Sequence, residues 1–138
     1  MRFTLSLVPA MALLMQVALA APAIDDDQLT QGVWRNKKNN VHVQAHRCGK
    51  SVCGTIIWAS DKAKADARAA GTPNLIGRQL FEDFRKDEKG VWHGRVFVPD
   101  IGKTFSGTIR AMNNDMIKGT GCLFAGLFCK SQIWTRVK

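Results

Sequence analysis

Short stretches that alternate apolar and polar residues constrain the fold of this chain most strongly. They recur about every ten residues and are separated by turn-forming residues, which is typical of antiparallel strands joined by hairpins. Val41, Val43 and Ala45, for example, would share one face of a strand, because side chains alternate between the two faces. The pattern therefore predicts an all-β protein.

Eight strands are predicted. They begin at Gly32-Val33-Trp34 and continue over Val41 to His46, Val52 to Trp58, Ile76 to Arg85, Val91 to Val98, Lys103 to Arg110, Met116 to Gly121 and Ser131 to Val137. The fourth is ambiguous, since its apolar spacing also suits a helix. The Ala-rich run from Ser60 to Ala70, which offers N-cap residues at its start, predicts one short helix or flap between strands 3 and 4.

Sequentially paired strands leave two exposed edges unless the sheet closes on itself. We therefore expect an eight-stranded antiparallel up-and-down barrel, whose interior is either filled by side chains or holds one small ligand. The Trp and Phe side chains available to fill it predict a narrow cavity at most.

The first residues differ in character from the rest. Residues 1–20 carry Arg2, an apolar run and the small residues Ala18-Leu19-Ala20, which are the parts of a secretory leader. The run is too short for a membrane span. We expect residues 21–30 to form a flexible acidic arm and residues 31–138 to form one domain, located in the periplasm or secreted.

The net charge of +9 favours anionic partners. An exported chain meets little nucleic acid, so no nucleic-acid binding is expected. The positive charge then serves either to bind an anionic envelope component or only to keep the surface soluble. Lys37, Lys38, Lys50 and Lys130 fall at predicted hairpin ends, where they form either a basic collar or an ordinary solvated rim.

The four cysteines lie outside the leader, and an even count in an exported chain favours disulfides. Their spacing lacks paired C-x2-C knuckles, so no metal site is expected. Three pairings are possible. Cys48 and Cys53, and likewise Cys122 and Cys129, are symmetric about predicted hairpin loops, which favours local pairing.

Four motifs occur in order along the chain: GVW, CGKSVCGTIIW, VWHGRVFVPDIGKTFSG and GTGCLFAGLFCKSQIWTR. Together they resemble a small exported bacterial family catalogued as a domain of unknown function, whose fold is similar to the lipocalins and other calycins. The resemblance extends from about Gly32 to Arg136. It implies a calycin-like barrel and supports a strand over Ile76 to Arg85.

The resemblance to lipocalins also assigns roles to three residues. Gly32 and Trp34 match a G-x-W on the first strand, and Arg136 matches the Arg of the last strand that covers this Trp and closes the barrel. A guanidinium over an indole contributes about 0.5 to 2 kcal/mol. The chain departs from lipocalins in having no Tyr, so their T-D-Y motif is absent.

Four bulky apolar residues, Leu123, Phe124, Leu127 and Phe128, stand between Cys122 and Cys129. Bulky apolar side chains are usually packed, which favours a plug folded inward over a lip exposed at the barrel rim. If they form a lip, they mark a ligand entrance or a partner site. The candidate ligand contacts are Trp58, Phe124, Leu127 and Phe128.

No catalytic constellation can be assembled. The cysteines are expected to be oxidised, and His42 and His46 lie about 13 Å apart at strand rise, too far to share a metal. We expect no enzyme, no cofactor and no metal, but an exported binding protein for a small apolar or amphipathic ligand in a narrow barrel cavity. The alternative is a basic binding module with a filled barrel, for an anionic envelope component or a host or partner protein. Cavity volume separates the two.

Overall fold

Eight antiparallel strands close into a barrel in the order in which they follow one another in the chain. The strands are β1 (Gly32–Asn36), β2 (Val41–Cys48), β3 (Ser51–Ala59), β4 (Gln79–Lys86), β5 (Trp92–Val98), β6 (Lys103–Asn113), β7 (Met116–Leu123) and β8 (Leu127–Arg136). β1 pairs with β2 and also with β8, which closes the cylinder. The predicted up-and-down barrel is confirmed.

The structure, a computed structural model, describes residues 29–124 and 126–137. The predicted leader at residues 1–20 lies outside the described residues. So does the predicted acidic arm at 21–30 except for its last two residues. These two, Leu29 and Thr30, are buried, and Leu29 belongs to the hydrophobic core.

The predicted short helix is α1 (Asp61–Ala69), which lies between β3 and β4. Ser60 caps it, because its side-chain oxygen accepts a hydrogen bond of 3.1 Å from the Ala63 N–H. Only small residues face the core: Ala63 and Ala67 are buried, whereas the rest of the helix is polar or exposed. The helix therefore covers the core without filling the barrel.

Aromatic rings fill the interior, and glycines make room for them. The largest fully buried side chains are those of Trp34, Phe84, Ile56, Val43 and Val52. A Cβ at Gly54 would lie 2.1 Å from the ring of Phe81, and a Cβ at Gly94 would lie 2.5 Å from the ring of Phe84. Both glycines are therefore required where the rings contact the strands.

The alternating direction of the strands sorts the connections onto two ends. We call upper the end that carries the β1–β2, β3–β4, β5–β6 and β7–β8 connections, and lower the opposite end. The lower end carries the start of β1, the end of β8 and the three remaining hairpin turns. The two ends differ in surface chemistry, because Met112 is the one exposed large hydrophobic residue near the lower end among those that the structure describes.

A bulge changes the face expected for the end of β3. Strict alternation would place Ile56 and Trp58 on the same face, but the register between β2 and β3 shifts between His42 and Val43. Val43 pairs with Ile56 and His42 pairs with Trp58, so Ile57 is an extra residue. Ile56 is fully buried, whereas Trp58 is exposed on the outside.

The last hairpin is longer than expected. β7 continues to Leu123 and β8 already begins at Leu127, so most of the segment expected as a loop is strand. β8 pairs with β7 along nearly all of its length but with β1 only through Trp134 to Arg136. The upper part of the β7–β8 hairpin therefore projects beyond β1.

Candidate functional site

The lower end is closed by an arginine stacked on a tryptophan. Trp34 and Arg136 are register partners, and the guanidinium carbon of Arg136 lies 4.4 Å from the centre of the indole ring. Arg136 also donates hydrogen bonds to the main-chain oxygens of Asn114, at 3.1 Å, and Gln31. A side chain at Gly32 would collide with the Arg136 guanidinium. The structure thus brings Gly32, Trp34 and Arg136 together.

The interior beside Trp34 has little free space. The cavity there, lined among others by Leu29, Trp92 and Ile117, has a volume of about 10 Å³. This is the space of about one water molecule. The buried Nε1 of Trp34 has no hydrogen-bond partner among the described residues. A cavity of this size has no room for an organic ligand.

The structure joins the cysteines locally, Cys48 to Cys53 and Cys122 to Cys129. Cys122 and Cys129 face each other directly across β7 and β8. In the β2–β3 hairpin, however, Cys48 pairs with Ser51, so its disulfide to Cys53 runs diagonally. The local pairing predicted from the sequence is therefore confirmed for both pairs, although only the second pair joins residues that face each other directly. That pair fixes the base of the projecting tip.

The apolar residues at this tip are exposed, so the plug favoured from the sequence is wrong. Phe124 is 79% exposed and Phe128 is 76% exposed, and Leu123 and Leu127 are exposed as well. We call these four residues the apolar lip. Both phenylalanines have positive φ angles, 44° and 54°. Bulky residues rarely adopt this left-handed backbone, and such strain concentrates at functional sites.

Other exposed apolar side chains lie at the same end. The exposed large hydrophobic residues among those described are Ile57, Trp58, Ile76, Ile101, Met112 and the four residues of the apolar lip. Ile57 and Trp58 are near the upper end of β3, Ile76 is in the β3–β4 connection, and Ile101 is in the β5–β6 loop. Within the described part of the chain, all of them except Met112 are therefore at the upper end. Sequence position alone does not reveal this, since they come from four separate segments.

Trp58, a predicted ligand contact, lies apart from the other three along the barrel wall. Its ring contacts His42, with 4.6 Å between the ring centres. Burial, and then the positive charge of Arg35, lower the pKa of His42 below its ordinary value of 6.5. Trp58 thus belongs to the outer surface of the upper end and does not line the interior.

Charge is distributed unevenly around the barrel. The five neighbouring strands β7, β8, β1, β2 and β3 contain no acidic residue, although they carry Lys118, Lys130, Arg35 and Arg47 among others. Of the lysines expected as a collar, Lys37, Lys38 and Lys130 are at the upper end, whereas Lys50 is at the lower end. The basic surface therefore covers the part of the barrel wall that β7, β8, β1, β2 and β3 form, and it continues onto the upper end.

The described residues hold no group of three or more His, Cys, Asp or Glu side chains placed to bind a metal. The Nε2 atom of His93, near the start of β5, lies 2.7 Å from Oδ2 of Asp87, which is in the exposed β4–β5 turn. Hydrogen bonds from the Val91 N–H and then from His93 lower the pKa of Asp87. This carboxylate accepts hydrogen bonds within the turn and so fixes its shape. Within residues 29–124 and 126–137, no helix is long and apolar enough to cross a bilayer.

Comparison with known proteins gives a family and a structural neighbour. Residues 32–136 match the family described as "Uncharacterized protein conserved in bacteria (DUF2147)". Among solved structures, the chain is similar to protein HP1028 from the human pathogen Helicobacter pylori, which is described as belonging to the lipocalin family. The two share 17% sequence identity with a TM-score of 0.62, over 79% of this chain and 83% of the other. No curated protein sequence matches the chain.

Proposed function

The chain belongs to the DUF2147 family of uncharacterized bacterial proteins, and we propose that it is an exported, non-catalytic binding protein that docks on an anionic lipid surface. The docking surface is the upper end of the lipocalin-like barrel. Two disulfides, typical of proteins outside the cytoplasm, support the exported location. The family description names no activity, so the proposal rests on the physical chemistry of this surface.

The observation that carries the proposal is the segregation of exposed apolar side chains to one end. Soluble proteins expose single hydrophobic residues everywhere, but a concentration at one place, bordered by polar residues, marks an interaction surface. The apolar lip contributes two Phe and two Leu side chains at the tip of a disulfide-fixed hairpin. Side chains of this type are the ones that peripheral proteins insert at the boundary between headgroups and acyl chains.

Basic residues at the same end supply the second attraction. Lys37 and Lys38 lie in the β1–β2 turn, Lys103 begins β6, and Lys130 follows the apolar lip. Each lysine near an anionic membrane surface contributes about 1 kcal/mol at physiological ionic strength. Acidic residues also occur there, in α1 and at Asp100, but the strands flanking the lip carry none. The upper end therefore matches a negatively charged bilayer better than a neutral one.

The small volume of the cavity beside Trp34 is the reason that the outer surface is proposed as the site. A barrel with space for about one water beside Trp34 has no room there for a small apolar ligand. A small amphipathic ligand is the second candidate, with its acyl chain against the apolar lip rather than inside the barrel. No step of catalysis is proposed: the four cysteines are joined in disulfides, and the hydroxyl of Thr55, which lies 2.9 Å from Nε2 of His46, has no acidic residue on its own strand β3 or on β2 to complete a catalytic set.

Vesicle binding tests the proposal. We expect the protein to sediment with vesicles that contain phosphatidylglycerol, to bind them less as salt is raised, and to bind pure phosphatidylcholine vesicles much more weakly. Native mass spectrometry of the purified protein separates the two candidates, because only a bound small molecule adds a discrete mass. Equal binding to both vesicle types, or none to either, would contradict docking on an anionic surface.

A further inference from the structure

One edge of the barrel wall is open. Residues 127–133 of β8 pair with β7 on one side, but no strand pairs with them on the other side, because β1 reaches only Trp134 to Arg136. Residues 127–132 are exposed. Within the described ranges, β8 therefore has an unpaired edge over residues 127–133, at the upper end. Such an edge is a ready template for another strand.

The main-chain groups on this edge point outward. The Arg136 N–H donates to Asp115 on the β7 side, whereas the Val137 N–H donates to Val33 on the β1 side. Successive residues of a strand face opposite neighbours, so the odd-numbered residues of β8 face the β1 side. Cys129, Ser131 and Ile133 therefore direct their N–H and C=O groups to the open edge. Among the residues that the structure describes, Cys129, Ser131 and Ile133 have no register partner on β1.

Two features make this edge a suitable binding site. The disulfide between Cys122 and Cys129 holds its upper part in place. Ser131 is also tied to β7, since its hydroxyl lies 2.8 Å from that of Thr120. An edge already fixed in the extended conformation loses little conformational entropy when a second strand pairs with it.

The positive charge around the open edge determines which kind of strand can pair with it. Neither β7, β8, β1 nor the β1–β2 turn contains an acidic residue, and together they place Lys118, Lys130, Arg35, Lys37 and Lys38 around the open edge. A second copy of this chain would bring an equally basic surface against this one, which like-charge repulsion disfavours. An acidic strand would meet complementary charge instead.

We propose that the open edge of β8, centred on Ser131, binds an extended acidic segment of a partner protein by strand addition. The partner's main chain pairs with Cys129, Ser131 and Ile133, and its carboxylates lie near the flanking lysines. Main-chain hydrogen bonds supply the affinity in this mode and side chains supply the specificity. This inference is independent of lipid docking, because it rests on the strand edge and not on the apolar lip.

A peptide titration followed by NMR tests it. The probe is a capped heptapeptide that alternates glutamate and valine, with a lysine–valine heptapeptide as its matched control. We expect the acidic peptide to bind and to slow the hydrogen exchange of the Ser131 and Ile133 amides. The Lys130 and Gln132 amides already face β7 and should change little. Failure of the acidic peptide to bind, or protection confined to the apolar lip, would overturn the proposal.

Two substitutions of Ser131 distinguish the contribution of its main-chain N–H to peptide binding from that of its side chain. Ser131→Pro removes the outward N–H and should weaken peptide binding roughly tenfold or more. It leaves the β7 ladder intact, because proline is tolerated where the N–H faces away from the sheet. Ser131→Ala loses the same hydroxyl but keeps the N–H, and should bind like the wild type. Equal loss in both variants contradicts strand addition, as does a wild-type dimer that Ser131→Pro dissociates, since the occupant would then be a second copy.

Discussion

Replacing the two exposed phenylalanines by serine separates binding from folding. Phe124 and Phe128 leave 79% and 76% of their surface in solvent, so folding gains little from them. Both occupy left-handed backbone, where serine is no more strained than phenylalanine. The double variant Phe124→Ser, Phe128→Ser should therefore fold normally but dock poorly.

The size of both effects follows from the exposed fractions. Complete burial of a Phe side chain contributes about 1.5 to 3 kcal/mol, and roughly three quarters of that is still available to each ring. Losing both rings should weaken vesicle binding by about 2 to 4 kcal/mol, which is roughly 30-fold to 1000-fold in the partition coefficient. The buried remainder limits the loss in unfolding free energy to less than about 1.5 kcal/mol.

The assay is co-sedimentation with phosphatidylglycerol vesicles, combined with thermal unfolding of the same samples. Met112→Ser is the matched control, because Met112 is an exposed apolar residue near the lower end. It should bind vesicles as the wild type does. The reasoning is refuted if the double variant binds as tightly as the control, or if its unfolding temperature collapses, which would show that the rings are packed.

Two further predictions concern the barrel wall. Gly54→Ala should lower the unfolding free energy by about 1 to 3 kcal/mol, because its Cβ would overlap the Phe81 ring. Gly121→Ala, whose Cβ would meet nothing within 4 Å, should change the unfolding free energy by less than about 0.5 kcal/mol. Equal losses of unfolding free energy in the two variants, measured by urea unfolding, would contradict the packing of Phe81 against Gly54. Because burial lowers the pKa of His42, the unfolded chain binds more protons, so this residue's contribution to stability falls as pH drops through its folded pKa. NMR titration of His42 should give a midpoint below 6.5, with the emission of the neighbouring Trp58 changing in parallel, and a midpoint at or above 6.5 would be inconsistent with the contact.

Local patterns in the sequence predicted the elements well. Alternation located the strands, and Ser60 with the Ala-rich run located α1, because capping and periodicity depend on neighbours in the chain. The ambiguous segment is indeed a strand, β4, in which Phe81 and Phe84 face the glycines of β3 and β5. These are properties that a few adjacent residues determine.

The candidate site was less predictable, because it depends on register and topology. The bulge at Ile57, where the register with β2 shifts between His42 and Val43, moves Trp58 from the inner face of the barrel to the outer one. No residue of β3 predicts this bulge. The apolar lip was expected to be packed, since nothing in the residues themselves shows that the β7–β8 hairpin extends past β1. The grouping of Ile76 and Ile101 with the lip at one end follows from the alternating direction of the strands, but only the structure shows that these side chains are exposed there.

Hydrogen–deuterium exchange with and without anionic vesicles tests docking by the upper end most directly. We expect vesicles to slow exchange in residues 123–128, with smaller protection in the β5–β6 loop around Ile101 and near Trp58. The lower-end turns, including the one at Asn114 and Asp115, should exchange as they do in free protein. Protection of the lower turns, or unchanged exchange in residues 123–128 while the protein is vesicle-bound, would contradict the account.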